Sequence, residues 1–207
     1  MNNFNEAYKD RKMLFGYNAT EELMYVIKRF GVKGHALELG CGDGRDTYHM
    51  LINQFTIDAI DGSANAINNL LMREDIKEFL PHHLNAYVED IQKMILPTKK
   101  YDFVYGITIL DHIESVFHKK IIDNIFDSLK EGGFLFLKVH TVDDDGYINK
   151  ETASEFSGQI KHFFNRNEML DLFKNHGTIT FYQEFSEEDL DHGQPHRHSF
   201  ASILIKK

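Results

Sequence analysis

Apolar positions alternate along the chain between short continuous runs and helical stripes. In "NATEELMYVIKRF", Asn18 to Phe30, the residues Leu23, Met24, Ile27 and Phe30 recur at helical spacing and predict an amphipathic helix. "HALEL" is a short apolar run that predicts a strand ending at a cluster of glycines. Helix-like "RDTYHMLINQ", strand-like "FTIDAID", helix-like "ANAINNLLMRE", the weaker strand "LNAYVED" and the aromatic, β-branched strand "KKYDFVYGIT" follow. "ESVFHKKIIDNIFDSLK" carries Val116, Phe117, Ile121, Ile122, Ile125, Phe126 and Leu129 on one helical stripe. "EGG" reads as its stop signal, and "FLFLKVH" as a buried strand.

Strands alternating with helices imply an α/β fold: a doubly wound, Rossmann-like, mostly parallel seven-stranded sheet with helices on both faces. The alternation breaks at the end. "TITFYQEF" and "SFASILIKK" have only a loop between them and read as an antiparallel hairpin closing the sheet edge. No repeat or low-complexity tract interrupts the pattern, and 207 residues suit one domain. Three regions divide it: residues 1–33 as a helical lid, 34–140 as a cofactor-binding core, and 141–207 as a substrate-side insertion with the hairpin.

Composition narrows the function. Hydrophobic content of 42% and only three prolines support a packed core. The net charge of −9 disfavours nucleic acid, whose phosphates demand clustered Lys and Arg. A single cysteine, Cys41, cannot form an internal disulfide, so a reducing cytoplasm is expected. The polar opening "MNNFNEAYKDRK" predicts no leader, and no apolar run is long enough for a membrane span. A soluble monomer or homodimer acting on a small molecule is expected.

Candidate chemistry begins at "ALELGCGDGRD", Ala36 to Asp46. A glycine-rich turn after the first strand lets backbone approach a ligand without a Cβ clash. Gly40, Gly42 and Gly44 stand at alternate positions, and position 45 is Arg45, so the third glycine is off the dinucleotide spacing by one. That disfavours an oxidoreductase. Asp61 lies 21 residues beyond Gly40 at the end of "FTIDAID", where a carboxylate can accept from both ribose hydroxyls. Asp58 competes for that role, but alternation and end position favour Asp61.

The pattern E-x-G-x-G-x-G from Glu38 resembles motif I of the class I S-adenosylmethionine-dependent methyltransferases. The resemblance implies that cofactor and places Glu38, Gly40, Cys41, Gly42, Gly44, Arg45, Asp61 and Gly62 around it. It puts Asp90 of "VEDI" at the adenine amino group with Ile91 flanking the ring, and Gly106 and Ile107 on the methionine side. Asp90 is also a natural turn residue, and Cys41 reads as a small buried filler rather than a nucleophile.

The carboxyl-terminal "HFFNRNEMLDLFKNHGTITFYQEFSEEDLDHGQPHRHSFASILIKK" is similar to the tellurite-resistance methyltransferases and their thiopurine-methyltransferase-like relatives. These share a Gly-x-x-His-Arg element, here Gly193, His196 and Arg197. Two departures stand out: Glu38 replaces the usual Asp, and only His198 and Ser199 separate the element from the last strand. The opening "YKDRKMLFGYNATEE" loosely resembles the family's lid, with Phe15 and Tyr17 as pocket residues.

The resemblance implies methyl transfer to a thiol, a heterocycle or a chalcogen oxyanion such as tellurite or selenite. The alternative is an inactive cofactor-binding scaffold. His196 and Arg197, in a turn over the methyl group, would hold an anion, or a histidine would act as base. Arg197 paired with Glu187, Glu188 or Asp189 is the structural alternative. His112 in "LDHI" is a further candidate, or a structural histidine at a helix start. His192, His196 and His198 with Asp191 have the composition of a divalent-metal site. They read instead as a polar mouth over the substrate, with no metal, beside a solvated acidic loop "SEEDLD".

Overall fold

The computed structural model describes residues 3–148, 159–189 and 195–207. Its strands are β1 (His35–Leu39), β2 (Thr56–Asp61), β3 (Leu84–Val88), β4 (Tyr101–Ile107), β5 (Leu129–His140), β6 (Thr178–Asp189) and β7 (His196–Lys206). They form one seven-stranded sheet in the order β3-β2-β1-β4-β5-β7-β6. The first five pair in parallel, and β7 runs antiparallel to both β5 and β6. Strand order reverses between β1 and β4, and a crevice opens beyond their carboxyl ends.

The helices are α1 (Asn3–Asp10), α2 (Glu21–Phe30), α3 (Arg45–Ile52), α4 (Ala64–Met72), α5 (His118–Ser128), the single turn α6 (Asp145–Ile148) and α7 (Glu168–Phe173). Two apolar layers cover the sheet. On one face Leu23, Val26 and Ile27 of α2, Met50 of α3 and Leu70 of α4 pack on Ala36, Ile57 and Phe103. On the other, Ile121, Ile122 and Ile125 of α5 and Phe173 of α7 pack on Leu37, Val104, Leu135 and Ile203. Burial of these side chains, each worth roughly 1.5–3 kcal/mol, holds the layers together. No described helix is long and apolar enough to cross a membrane.

Local chemistry sets the helix ends. Ser63 caps α4 by accepting the Ala66 N–H at 3.1 Å, a contact worth about 1 kcal/mol. α2 ends at Gly31, whose φ of +65° suits a residue without Cβ. It starts at Glu21, three residues later than the stripe predicts.

Three expectations are corrected. "EGG" does not stop a helix: α5 ends at Ser128, and β5 already begins at Leu129, paired with Tyr101 before a register shift. The carbonyls of Phe126 and Leu129 are met by the Lys207 ammonium instead of a glycine cap. Residues Ser186–Asp189 of the acidic run belong to β6, where they pair with Ser199, His198, Arg197 and His196. His196 and Arg197 are therefore strand residues, and so are His198 and Ser199. Asp191, His192 and Gly193 lie outside the described residues.

Candidate active site

A cavity of about 1260 Å³ fills the crevice beyond β1, β2, β4 and β5. One wall is the turn between β1 and α3. Gly40, Gly42 and Gly44 all adopt positive φ, at +71°, +55° and +88°. Asp61 fixes this turn: its Oδ2 accepts the Gly42 N–H at 2.9 Å and its Oδ1 accepts the Ser63 N–H at 2.7 Å. Burial raises the Asp61 carboxyl above its ordinary value, and those two N–H donors oppose the rise. Each oxygen keeps a further lone pair for a ligand hydroxyl.

Glu38, at the carboxyl end of β1, is buried and accepts from the Thr47 hydroxyl at 2.5 Å. Burial pushes it up to about 8, against the opposing bond from Thr47. Asp90 is more open: its oxygens accept the Gln92 N–H at 3.0 Å and the Lys93 ammonium at 2.8 Å, the pattern of a turn residue. It lines the cavity with Ile91, as do Cys41, Arg45, Gly62, Ile107 and His112. Gly44 and Gly106 do not. They serve packing: a Cβ on Gly44 would lie 2.3 Å from Leu70 Cδ1, and one on Gly106 would lie 2.7 Å from Ile109 Cγ2. Asp58 is removed from the crevice by pairing with Lys100 at 2.5 Å and Tyr101 at 2.9 Å.

The amino-terminal segment roofs this wall. Asn5 Oδ1 accepts from the Ser63 hydroxyl at 2.9 Å and the Asn65 N–H at 3.1 Å, tying α1 to α4. Asp43 accepts the Leu14 N–H at 3.0 Å, and Asp46 accepts the Thr20 N–H at 2.7 Å. Arg45 is held by Asp46 and the Thr20 hydroxyl at 2.7 and 2.8 Å, so its guanidinium braces the roof. A Cβ on Gly42 would lie 2.4 Å from the Tyr8 hydroxyl oxygen. That bare position accommodates the roof as well as any ligand. Phe15 lines the cavity, whereas Tyr17 does not and is 70% exposed.

The opposite wall carries Asp111, Lys138, His140 and Asp144, which the sequence did not single out, beside His198, which it did. Asp111, wholly buried, lies 2.5 Å from His140 Nδ1 through Oδ2, which also accepts the His140 backbone N–H at 3.0 Å. Burial would raise this carboxyl, but the charges of His140 and His112 and the bonds from His140 outweigh it and lower it. Asp111 therefore stays ionised. Lys138 lies 3.2 Å from Glu22 of α2, 3.8 Å from Glu187 and over the Phe200 ring at 4.0 Å. His198 lies 3.0 Å from buried Asp144. Burial opposes its charge, yet Asp144, Asp189 and Glu187 raise it above the ordinary histidine value.

Of the candidate acceptor-side residues, His112 lines the cavity, packed edge-on to Phe4 at 5.0 Å. His196 is buried, 3.0 Å from His198, and outside the lining. Arg197 is also outside it. Its N–H donates to Asp145 at 2.8 Å and its guanidinium lies 3.8 Å from the same carboxylate. The partner is thus Asp145, not Glu187, Glu188 or Asp189. The lining on this side carries Glu21, Glu22, Glu187, Glu188 and Asp189 together with Lys138, Lys161 and His198.

These residues fit S-adenosylmethionine. Gly40 and Gly42 bring backbone without Cβ to the cavity wall, their N–H groups held by Ile60 and Asp61, and acidic side chains stand at the ends of three parallel strands. A methyltransferase-domain family profile matches residues 11–190. No curated protein matches the chain in sequence. Among solved structures, TehB from Haemophilus influenzae superposes with a TM-score of 0.73 at 19% identity, over 91% of this chain and 62% of its own. The chain thus spans less than two thirds of that protein's length. The N-methyltransferase NodS from Bradyrhizobium japonicum, solved with S-adenosyl-L-homocysteine, gives 0.68 at 16% identity over 90% and 84%. An S-adenosylmethionine-dependent methyltransferase from Methanosarcina mazei gives 0.66 at 16% over 92% and 98%. With most of its length matched and the glycine turn, acidic strand ends and sheet order of the fold in place, the chain belongs to the methyltransferase-domain family, with S-adenosylmethionine as its cofactor.

Proposed function

We propose that this chain methylates a small neutral acceptor through a nitrogen, oxygen or sulfur that loses a proton, and that His140 takes that proton. The observation that carries the reading is the Asp111–His140 pair on the wall facing the glycine turn. When bound, the cofactor supplies an activated sulfonium methyl, so the protein needs only to align, deprotonate and exclude water. Asp61 and Asp90 hold the ribose and adenine, and Glu38 with the Gly40–Gly42 backbone takes the methionine end. Asp111 fixes the His140 tautomer with Nδ1–H inward, leaving Nε2 as the base. Phe4, Tyr8 and Phe15 cover the site, so residues 1–33 act as a lid over the 34–140 core, while 141–207 builds the acceptor wall.

A chalcogen oxyanion is the less favoured acceptor, because Arg197 turns to Asp145 and stands outside the cavity lining. A labelled-methyl transfer screen against thiols, phenols, heterocyclic amines, selenite and tellurite tests the reading. Transfer to a proton-bearing acceptor, lost in His140→Ala with S-adenosylhomocysteine affinity retained, supports it. Transfer to oxyanions alone, or cofactor binding with no transfer to any class, overturns it.

A further inference from the structure

Beyond the glycine turn and the Asp111–His140 pair, the far end of the acceptor wall gathers a second set of polar groups. Asp189 pairs in register with His196 across β6 and β7, and His198 follows two residues on, so the three side chains share one face of the sheet. His196 Nε2 lies 3.0 Å from His198 Nε2, and His198 Nε2 lies 3.6 Å from Asp189 Oδ2. Their ligating atoms all fall within 4.8 Å of one another. Tetrahedral zinc with bonds near 2.0–2.1 Å sets neighbouring ligand atoms about 3.3 Å apart. The two observed separations bracket that edge.

The surroundings match a metal ligand's requirements. Asp144, wholly buried, lies 3.0 Å from His198 Nδ1 and is itself fixed by the N–H groups of Gly146 at 2.7 Å and Ser199 at 2.9 Å. A carboxylate on the far ring nitrogen holds the tautomer whose Nε2 lone pair is free to coordinate. The same saturation by N–H donors makes Asp144 a poor ligand. This separates the Asp189 set from the neighbouring group His140, Asp144 and His198, which also lies within coordinating distance.

We propose that Asp189, His196 and His198 form a site for a zinc-type divalent cation at the edge of the cavity, with Asp144 as the positioning residue for His198. Two imidazoles and one carboxylate suit zinc, cobalt or nickel, and disfavour magnesium and calcium, which take oxygen ligands. Asp189 and His198 line the cavity, so the position left by three protein ligands opens toward it. The site stands apart from the methyl-transfer reading, because its occupancy is measurable on the protein without turnover.

The test is titration of chelator-stripped, tag-free protein with zinc against a chromophoric competitor, and with cobalt by visible absorption. One zinc per chain is expected, with an intense tetrahedral cobalt spectrum and no displacement by millimolar magnesium. Asp189→Asn and His196→Gln should each weaken zinc at least a hundredfold, and Asp144→Asn about tenfold or more. Circular dichroism and S-adenosylhomocysteine affinity should stay as in the parent. Asp189→Asn, at a partly exposed position, keeps the test decisive if a histidine variant fails to fold. Absence of one-to-one binding, or zinc affinity unchanged in Asp189→Asn, overturns the site. So does binding lost in His140→Ala but kept in His196→Gln, which would assign the ion to the neighbouring group.

Discussion

Asp111 holds His140 twice through one oxygen, at the imidazole Nδ1 and at the backbone N–H. The carboxylate comes from the short turn Leu110–His112 after β4, and the imidazole is the last residue of β5. The ends of two adjacent strands, β4 and β5, thus bring together the buried carboxylate and the imidazole proposed as orienting acid and base.

Replacing His140 by Ala should lower kcat on the order of 10²–10⁴-fold, the range for loss of a general base. Affinity for S-adenosylhomocysteine should hold within a factor of two or so, since the groups proposed to hold the cofactor lie on the other wall. Asp111→Asn should lower kcat less and alter the pH–rate profile, because the charge that steadies the imidazolium is gone. Steady-state kinetics across pH 5–9 checks both. A normal profile in Asp111→Asn would reduce that residue to a structural anchor.

The two walls were unequally legible in the sequence. Glu38, Gly40 and Gly42 lie within five residues of chain, and Asp61 follows at a fixed βαβ distance, so local spacing revealed them. The opposite wall is made by pairs remote in the chain: Asp111 meets His140 across 29 residues, and Asp144 meets His198 across 54. No periodicity encodes such contacts. Strand alternation recovered the sheet, but "EGG" misled for a local reason. Gly132 makes its turn within β5, at a φ of +78°, while the α5 carbonyls find a cap in distant Lys207.

Glu38 gives a stability prediction with a definite sign. Its carboxyl stands near 8 in the fold against an ordinary value of 4.5. The folded state therefore favours the protonated form. The resulting stabilisation is full below about pH 4.5 and is lost as pH rises toward 8, on the order of 3–5 kcal/mol between the limits. Glu38→Gln keeps an acceptor for Thr47 and abolishes the titration. Denaturant unfolding should find the variant and parent similar near pH 5 and the variant more stable at pH 8–9. A parent curve with no extra loss over that interval would contradict the assignment.

Asp61 carries two roles that separate experimentally. Asp61→Ala removes acceptors for the Gly42 and Ser63 N–H groups and should lower the melting temperature. It should also weaken S-adenosylhomocysteine by about 1.5–3 kcal/mol for each charge-assisted bond to ribose. A 2′-deoxy analogue of the ligand isolates the second role. If Asp61 binds ribose, the parent discriminates against that analogue and the alanine variant does not. Unchanged calorimetric affinity for the normal ligand in Asp61→Ala would remove the ribose assignment.

Gly42 and Tyr8 should be energetically coupled. At Gly42, φ is +55°, and a Cβ there would lie 2.4 Å from the Tyr8 hydroxyl oxygen but 3.3 Å from the ring carbon that bears it. Gly42→Ala therefore meets two penalties: left-handed backbone strain of roughly 1–2 kcal/mol, and displacement of the roof helix α1. Tyr8→Phe removes the clashing atom and leaves the strain. The double variant should recover the second penalty only, giving a coupling energy of about 0.5 kcal/mol or more, the size found for residues in contact. Calorimetric affinity for S-adenosylhomocysteine across the four proteins measures it, because the displaced roof would no longer close over the ligand. Additive losses would mean that the glycine serves the turn alone and that α1 does not need the space its missing side chain provides.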